Sequence, residues 1–210
     1  MLLQSLSYQS FNKPEFRVSR PAQTQSFGQN PPAVVMKEIG NVQFMDDFSI
    51  ILKEPKNLYD GVCDILSAMK QNKETKFAFQ DRLSQVLKLS EKPDFEKRKL
   101  HGIIGAGNNS VALEIDNKEV LSVSNTSPFY GRCVESFDLP IIKEGFSGIH
   151  YYNIRPYGDV DSVTMDDLKA LKQDISQKGY RTRDLEDYKT YQACKYNTKT
   201  YLLDAQCAYR

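Results

Sequence analysis

Ile103-Ile-Gly-Ala-Gly-Asn-Asn-Ser-Val-Ala-Leu-Glu-Ile115 is the stretch on which the fold of this chain turns. Its pattern, Gly105-x-Gly107-x-x-Ser110-x-Ala112, lies between two β-type runs, at 100–104 and 111–115. A glycine motif between a strand and a helix would suggest a dinucleotide fold or a P-loop, and this context argues against both. A glycine-rich hairpin fits better, its backbone N–H groups turned toward an anion such as a phosphate. Glycine suits that task because a side chain would hold the backbone away from the ligand. Gly105, Gly107, Asn108, Asn109 and Ser110 are the candidate ligand-binding residues. Taken alone, the same pattern also suits an ordinary hairpin loop with two turn glycines.

Working outward, Asp116-Asn117-Lys118 reads as a turn into a third run at 120–123. Two more strands are expected at 137–142 and 149–154, with a turn over 143–148, which gives a roughly five-stranded antiparallel sheet. A helix follows. Thr164 with Asp167 three residues later approximates a capping box, Met165, Leu168, Leu171 and Ile175 mark one apolar face, and Gly179 ends it. Tyr201-Leu202-Leu203 reads as a last short strand.

Upstream, Leu58, Val62, Ile65, Leu66 and Met69 recur at helical spacing over 57–70, and Phe77, Phe79, Leu83, Val86 and Leu87 suggest a second helix over 75–90. The apolar residues of 34–55 suit short strands or loops packing on something larger. Ser90 to Lys99, with Pro93, reads as a linker. Residues 1–33 hold five Ser, five Gln and four Pro, with Glu15 the only acid. Such a segment buries too little apolar surface to offset its ordering entropy and is expected to be disordered. A plain flexible tail, an uncleaved type III export signal and a transit peptide all fit that composition. The expected organisation is α+β: a tail at 1–33, a mainly helical extension at 34–98 and the glycine-hairpin domain at 99–210.

The order strand, glycine loop, strand, turn, strand, helix, Asp, short strand, Asp resembles that of protein kinases. Gly179-Tyr-Arg-Thr-Arg-Asp184-Leu185 is similar to the family's Gly-x-x-His-Arg-Asp-Leu, and Tyr201-Leu-Leu-Asp204 is similar to the strand delivering the Asp of Asp-Phe-Gly. The resemblance covers about half the chain and implies a minimal kinase-like fold that binds ATP and Mg²⁺. Asp184 would orient the acceptor hydroxyl, and Asp204 would hold the metal. The departures are substantial. Ser122 stands where the family's phosphate-pairing Lys falls, Thr182 replaces its His, and Lys189 replaces its Mg²⁺-binding Asn. Glu135 is a poor candidate for the Lys partner. Lys118, Lys143 and Lys189 are the cations that could compensate. Six residues follow Asp204, too few for an activation segment or a helical substrate-binding lobe within this chain. The resemblance therefore implies a pseudokinase or a weakly active atypical serine/threonine kinase. Beside a Ser/Gln-rich tail it is similar to small effector kinases that bacteria make in the cytoplasm and inject into host cells. An α+β protein–protein interaction module without nucleotide is the alternative.

Composition narrows the partners. A net charge of +1 gives no long-range pull toward nucleic acid or anionic membranes. No apolar run approaches the roughly 20 residues of a membrane span. Cys63, Cys133, Cys194 and Cys207 are widely spaced, and neither His101 nor His150 lies near one, so a cysteine–histidine zinc site is not expected. The expected partners are a nucleotide and a protein substrate or binding partner.

Overall fold

A computed structural model describes residues 37–45, 49–72, 79–107, 110–125, 137–182, 193–203 and 208–209. The tail expected at 1–33 lies outside them. So do Asn108, Asn109, Glu135, Asp184, Lys189 and Asp204. The fold is α+β. In chain order the elements are β1 (Lys37–Ile39), β2 (Val42–Phe44), β3 (Ile50–Asn57), α1 (Leu58–Gln71), α2 (Gln80–Ser90), α3 (Pro93–Glu96), β4 (Lys99–Ala106), β5 (Ser110–Ile115), a 3₁₀ turn (Asp116–Lys118), β6 (Glu119–Ser124), β7 (Lys143–Ser147), β8 (His150–Pro156), α4 (Met165–Gln177), β9 (Arg181–Thr182), β10 (Ala193–Tyr196), β11 (Lys199–Leu202) and β12 (Ala208–Tyr209). Eight strands form one antiparallel sheet in the order β1-β2-β3-β4-β5-β6-β8-β7. Because β3 pairs with β4, the sheet runs unbroken across residue 98.

Period-two alternation explains the sheet's packed face. Val111, Leu113 and Ile115 on β5 and Leu121 and Val123 on β6 all lie in the core, while their neighbours in sequence do not. Helices α1 and α2 cover that face with Leu58, Val62, Ile65 and Met69, then Leu83, Val86 and Leu89. Helix α1 begins where the Asn57 side chain accepts the Asp60 backbone N–H at 2.8 Å. It settles closely because Gly61 lacks a Cβ, which would stand 3.0 Å from Leu52 Cδ1 and 3.1 Å from Leu100 Cβ. The stretch expected to be a linker contains α3. Pro93 starts it, and buried Phe95 meets the Tyr152 ring edge-on at 5.4 Å.

The strand expected at 137–142 forms instead at Lys143–Ser147, in the stretch expected to turn. Pro140 has no N–H for a ladder. Phe137 points into a second apolar cluster, and its carbonyl accepts the Leu202 N–H at 2.8 Å. The chain reverses later, at Gly148, whose φ of +62° favours glycine. The second cluster joins Phe137 to Val163, Leu168, Leu171 and Ile175 around α4, and to Ala193 and Leu202 of the β10–β11 hairpin. The expected capping box of α4 is present in both directions, and Gly179 follows the helix with φ +81°. Among the described residues no helix is long and apolar enough to cross a membrane.

Candidate functional site

The glycine hairpin joins β4 to β5, with a register irregularity between Ile103 and Gly105. The hairpin closes through the Gly107 N–H, which donates to the Ser110 carbonyl at 2.8 Å. That N–H is therefore engaged within the chain. Donors for an anion must come from elsewhere in the loop, where Asn108 and Asn109 lie outside the described residues. The glycines themselves are unusual in this molecule. A Cβ on Gly102 would stand 2.2 Å from the Ile50 carbonyl oxygen, and one on Gly158 would stand 2.3 Å from Cys194 Sγ, so packing demands glycine there. A Cβ on Gly105 would meet only the Ala112 Cβ at 4.0 Å, and one on Gly107 would meet nothing within 4 Å. Neither has the positive φ that would require glycine for conformation.

Strand register defines what lies beside the hairpin. Gly105 faces Ala112, Ala112 faces Ser122, Ser122 faces Asn153, and Asn153 faces Glu144. One row thus crosses β4, β5, β6, β8 and β7 on the side of the sheet opposite the core. A neighbouring row, level with the hairpin, runs Ser110, Ser124, Tyr151, Phe146. The first row is small at its glycine end and polar at the other. Asn153 is 8% exposed, and its Oδ1 has no hydrogen-bond partner. Glu144 accepts a hydrogen bond from the Tyr151 hydroxyl.

This face is poor in cations. Ser122 is half-buried on it, and Ser124 stands level with the hairpin, so the residues nearest the glycines offer hydroxyls. Arg155, two residues beyond Asn153, is a cation of this side and is paired with Asp138. Two sequence candidates for a replacement cation lie elsewhere. Lys143 pairs with Asp94 and stands 5.7 Å from the Phe95 ring centre, on the packed side. Lys118 sits in the turn beyond the opposite end of β5 from the hairpin, past a six-residue strand about 20 Å long at strand rise. Asn153 and Arg155 were missed by motif reading. The alternation of 150–156 would have set both on one face, but only the pairing register shows that Asn153 borders Ser122.

Among the described residues no group of three or more His, Cys, Asp or Glu could hold a metal. Asp184 and Asp204 lie outside the described residues, and the chain segments leading to them are β9, which pairs with β12, and the hairpin β10–β11. A cavity of about 380 Å³ lies between α4 and that hairpin, lined in part by Phe137, Asp167, Leu171 and Lys178. None of the sequence-predicted site residues lines it. Asp167 there is held well below the usual carboxylate range, at about 2, by the Lys195 ammonium and by Thr164. The Cys194 thiol near Gly158 is pushed up to about 12, first by burial and then by Asp138. It is a packing group rather than a nucleophile. The chain matches no known protein-family model, and no curated protein matches it.

Proposed function

We propose that this α+β domain, through its glycine hairpin and the segments that follow it to residue 210, is kinase-like and nucleotide-binding, and that it acts as a pseudokinase or a weakly active protein kinase. The observation that carries this reading is the pair Gly105 and Gly107. Neither packing nor backbone conformation requires glycine at either position. Close approach of a ligand to the hairpin is one physical reason to keep glycine at both. Three further features are consistent with it: the small row beside the hairpin, the helix α4 after the sheet, and the hairpin β10–β11 that runs toward Asp204.

The described residues suit a nucleotide's bulk better than its charge. Ser122 and Ser124 cannot supply the cation that offsets charge developing on a transferred phosphoryl group, and Arg155 is engaged with Asp138. Losing one such electrostatic group typically costs on the order of 10²–10³ in rate. Binding with little transfer is therefore the favoured form. By the resemblance, Asp204 would hold a Mg²⁺ that neutralises the phosphates, and Asp184 would orient the acceptor hydroxyl.

Thermal unfolding with millimolar ATP and Mg²⁺ tests the proposal. A ligand that binds only the folded state at 100 times its Kd stabilises by about 2.7 kcal/mol, so the midpoint should rise by several degrees. An unchanged midpoint would overturn it. Transfer of labelled phosphate that disappears in Asp184→Ala and Asp204→Ala would mark an active kinase, and binding without transfer a pseudokinase. The exposed Ile142, Phe146 and Ile149, the last 84% exposed, favour the interaction-module reading instead, because they lie on and on either side of the edge strand β7.

A further inference from the structure

The cavity between α4 and the β10–β11 hairpin has a chemistry of its own, apart from the glycine hairpin. One stripe of α4 lines it, with Asp167, Ala170, Leu171, Asp174 and Lys178 at the three- and four-residue steps that set side chains on one face. Its floor is apolar: Leu171 and Phe137 belong to the second cluster and are almost fully buried. Thr200 lines the hairpin side. It stands two residues from Leu202, which packs in that cluster, so the two share the inward side of β11. Lys199, one residue away, turns its ammonium to the Tyr201 ring at 4.9 Å instead.

The charges of this stripe are not all matched within the chain. At the start of α4, Asp167 is engaged, paired with Lys195 at 2.7 Å and accepting the Thr164 N–H. Asp174 and Lys178, four residues apart, have the acid-before-base order that ordinarily pairs on a helix face. They do not pair here. The Lys178 ammonium stands 4.7 Å from the centre of the Phe137 ring, over the cavity floor, and Asp174 has no ion-pair partner among the described residues. A carboxylate and an ammonium thus border one apolar hollow, about 6 Å apart along the helix axis at helical rise. Both residues are exposed, so a ligand reaches them directly from solvent.

We infer that this cavity binds a free α-amino acid with an apolar side chain. The ligand's ammonium donates to the Asp174 carboxylate, its carboxylate accepts from the Lys178 ammonium, and its side chain lies on Ala170 and Leu171 beside Thr200. The head of an amino acid suits the gap, because its two charged groups sit on one carbon and each adds a hydrogen-bond length of about 2.8 Å toward its partner. The volume, about 380 Å³, is in the lower part of the range for small-molecule sites. A ligand carrying a single charge would leave either Asp174 or Lys178 without its counter-charge, so the cavity discriminates zwitterions from simple acids and amines. The site is separate from the glycine hairpin, and the inference does not rest on the nucleotide reading.

Calorimetric titration of the full chain with L-leucine, 4-methylpentanoate and 3-methylbutylamine tests the inference. The second ligand lacks the amine of leucine, and the third lacks its carboxylate. Leucine is expected to bind about tenfold more tightly than either, the size of one charge-assisted hydrogen bond at a solvent-open site. In Asp174→Ala its advantage over 4-methylpentanoate should vanish, and in Lys178→Met its advantage over 3-methylbutylamine. Both positions are exposed, so the variants should keep the wild-type fold, which circular dichroism checks. Equal binding of the three ligands to the wild type, or no binding of leucine up to about 10 mM, would overturn the inference, and neither measurement needs a variant. An advantage that survives in the matching variant would overturn it too. Each of these results leaves the nucleotide reading of the glycine hairpin to its own test.

Discussion

The two faces of the central sheet are built from the same strands and obey opposite rules. On the packed face, Leu113 and Leu121 touch across β5 and β6 under α1 and α2, both fully buried. One residue along on each strand, Ala112 and Ser122 face each other on the open side. The packed face is uniformly apolar and filled. The opposite face mixes half-buried Ala112, Glu114, Ser122 and Arg155 with Asn153, which is itself buried and whose Oδ1 has no hydrogen-bond partner. The contrast separates the face that holds this domain together from the face on which the proposed site lies.

The largest expected effect tests that division directly. Leu113→Ala removes a fully buried side chain from beneath the helices and should cost about 2–5 kcal/mol in urea denaturation. Ser122→Ala, on the other side of the neighbouring strand, should stay within about 0.5 kcal/mol. If the serine change proved as costly as the leucine change, the open face would be a second packing surface and the contrast would collapse.

A smaller effect separates two glycines of one strand and its loop. Gly102→Ala drives a Cβ into the Ile50 carbonyl oxygen at 2.2 Å, a rigid backbone atom, and should cost about 1–3 kcal/mol or more. Gly107→Ala meets nothing within 4 Å and should leave stability within about 0.5 kcal/mol while reducing the ATP-dependent rise in melting temperature. Loss of stability in both, with no change in ATP response, would return the hairpin to a plain turn.

Sequence alone carried the local elements well where one signal dominated. Helix α1, helix α4 with its Thr164–Asp167 box, and the strands β4, β5 and β6 all follow from periodicity and capping chemistry. It failed where a longer-range contact decided. Phe137 and Leu139 have strand-like spacing, but burial of Phe137 with α4 and the missing N–H of Pro140 move the strand to Lys143–Ser147, whose composition resembles a turn. The candidate site was legible as a glycine pattern only. The row that ends in Asn153 depends on which strands pair and in what register, and β8 lies between β6 and β7, out of sequence order. Nothing local to 150–156 announces that its asparagine borders a serine thirty-one residues earlier.

The smallest effect lies away from both faces, at the start of α4, and reports on the second apolar cluster. Thr164 caps the helix, its hydroxyl oxygen accepting the Asp167 N–H at 3.2 Å, and Thr164→Ala should cost about 1 kcal/mol. The Asp167 carboxylate accepts the Thr164 N–H at 2.8 Å and pairs with Lys195 at 2.7 Å, tying α4 to β10. Its pKa in the folded chain, about 2, lies below the ordinary 3.8. The carboxylate therefore contributes stability that is complete above the ordinary value and is lost as pH falls through about 2. Asp167→Asn should melt below the wild type near neutral pH, and the gap should close on acidification into that window. Partial exposure and screening by salt keep this gap small beside the glycine and leucine effects. A gap that stayed constant down to pH 2 would mean that the side chain's shape, rather than its charge, holds the helix to the hairpin.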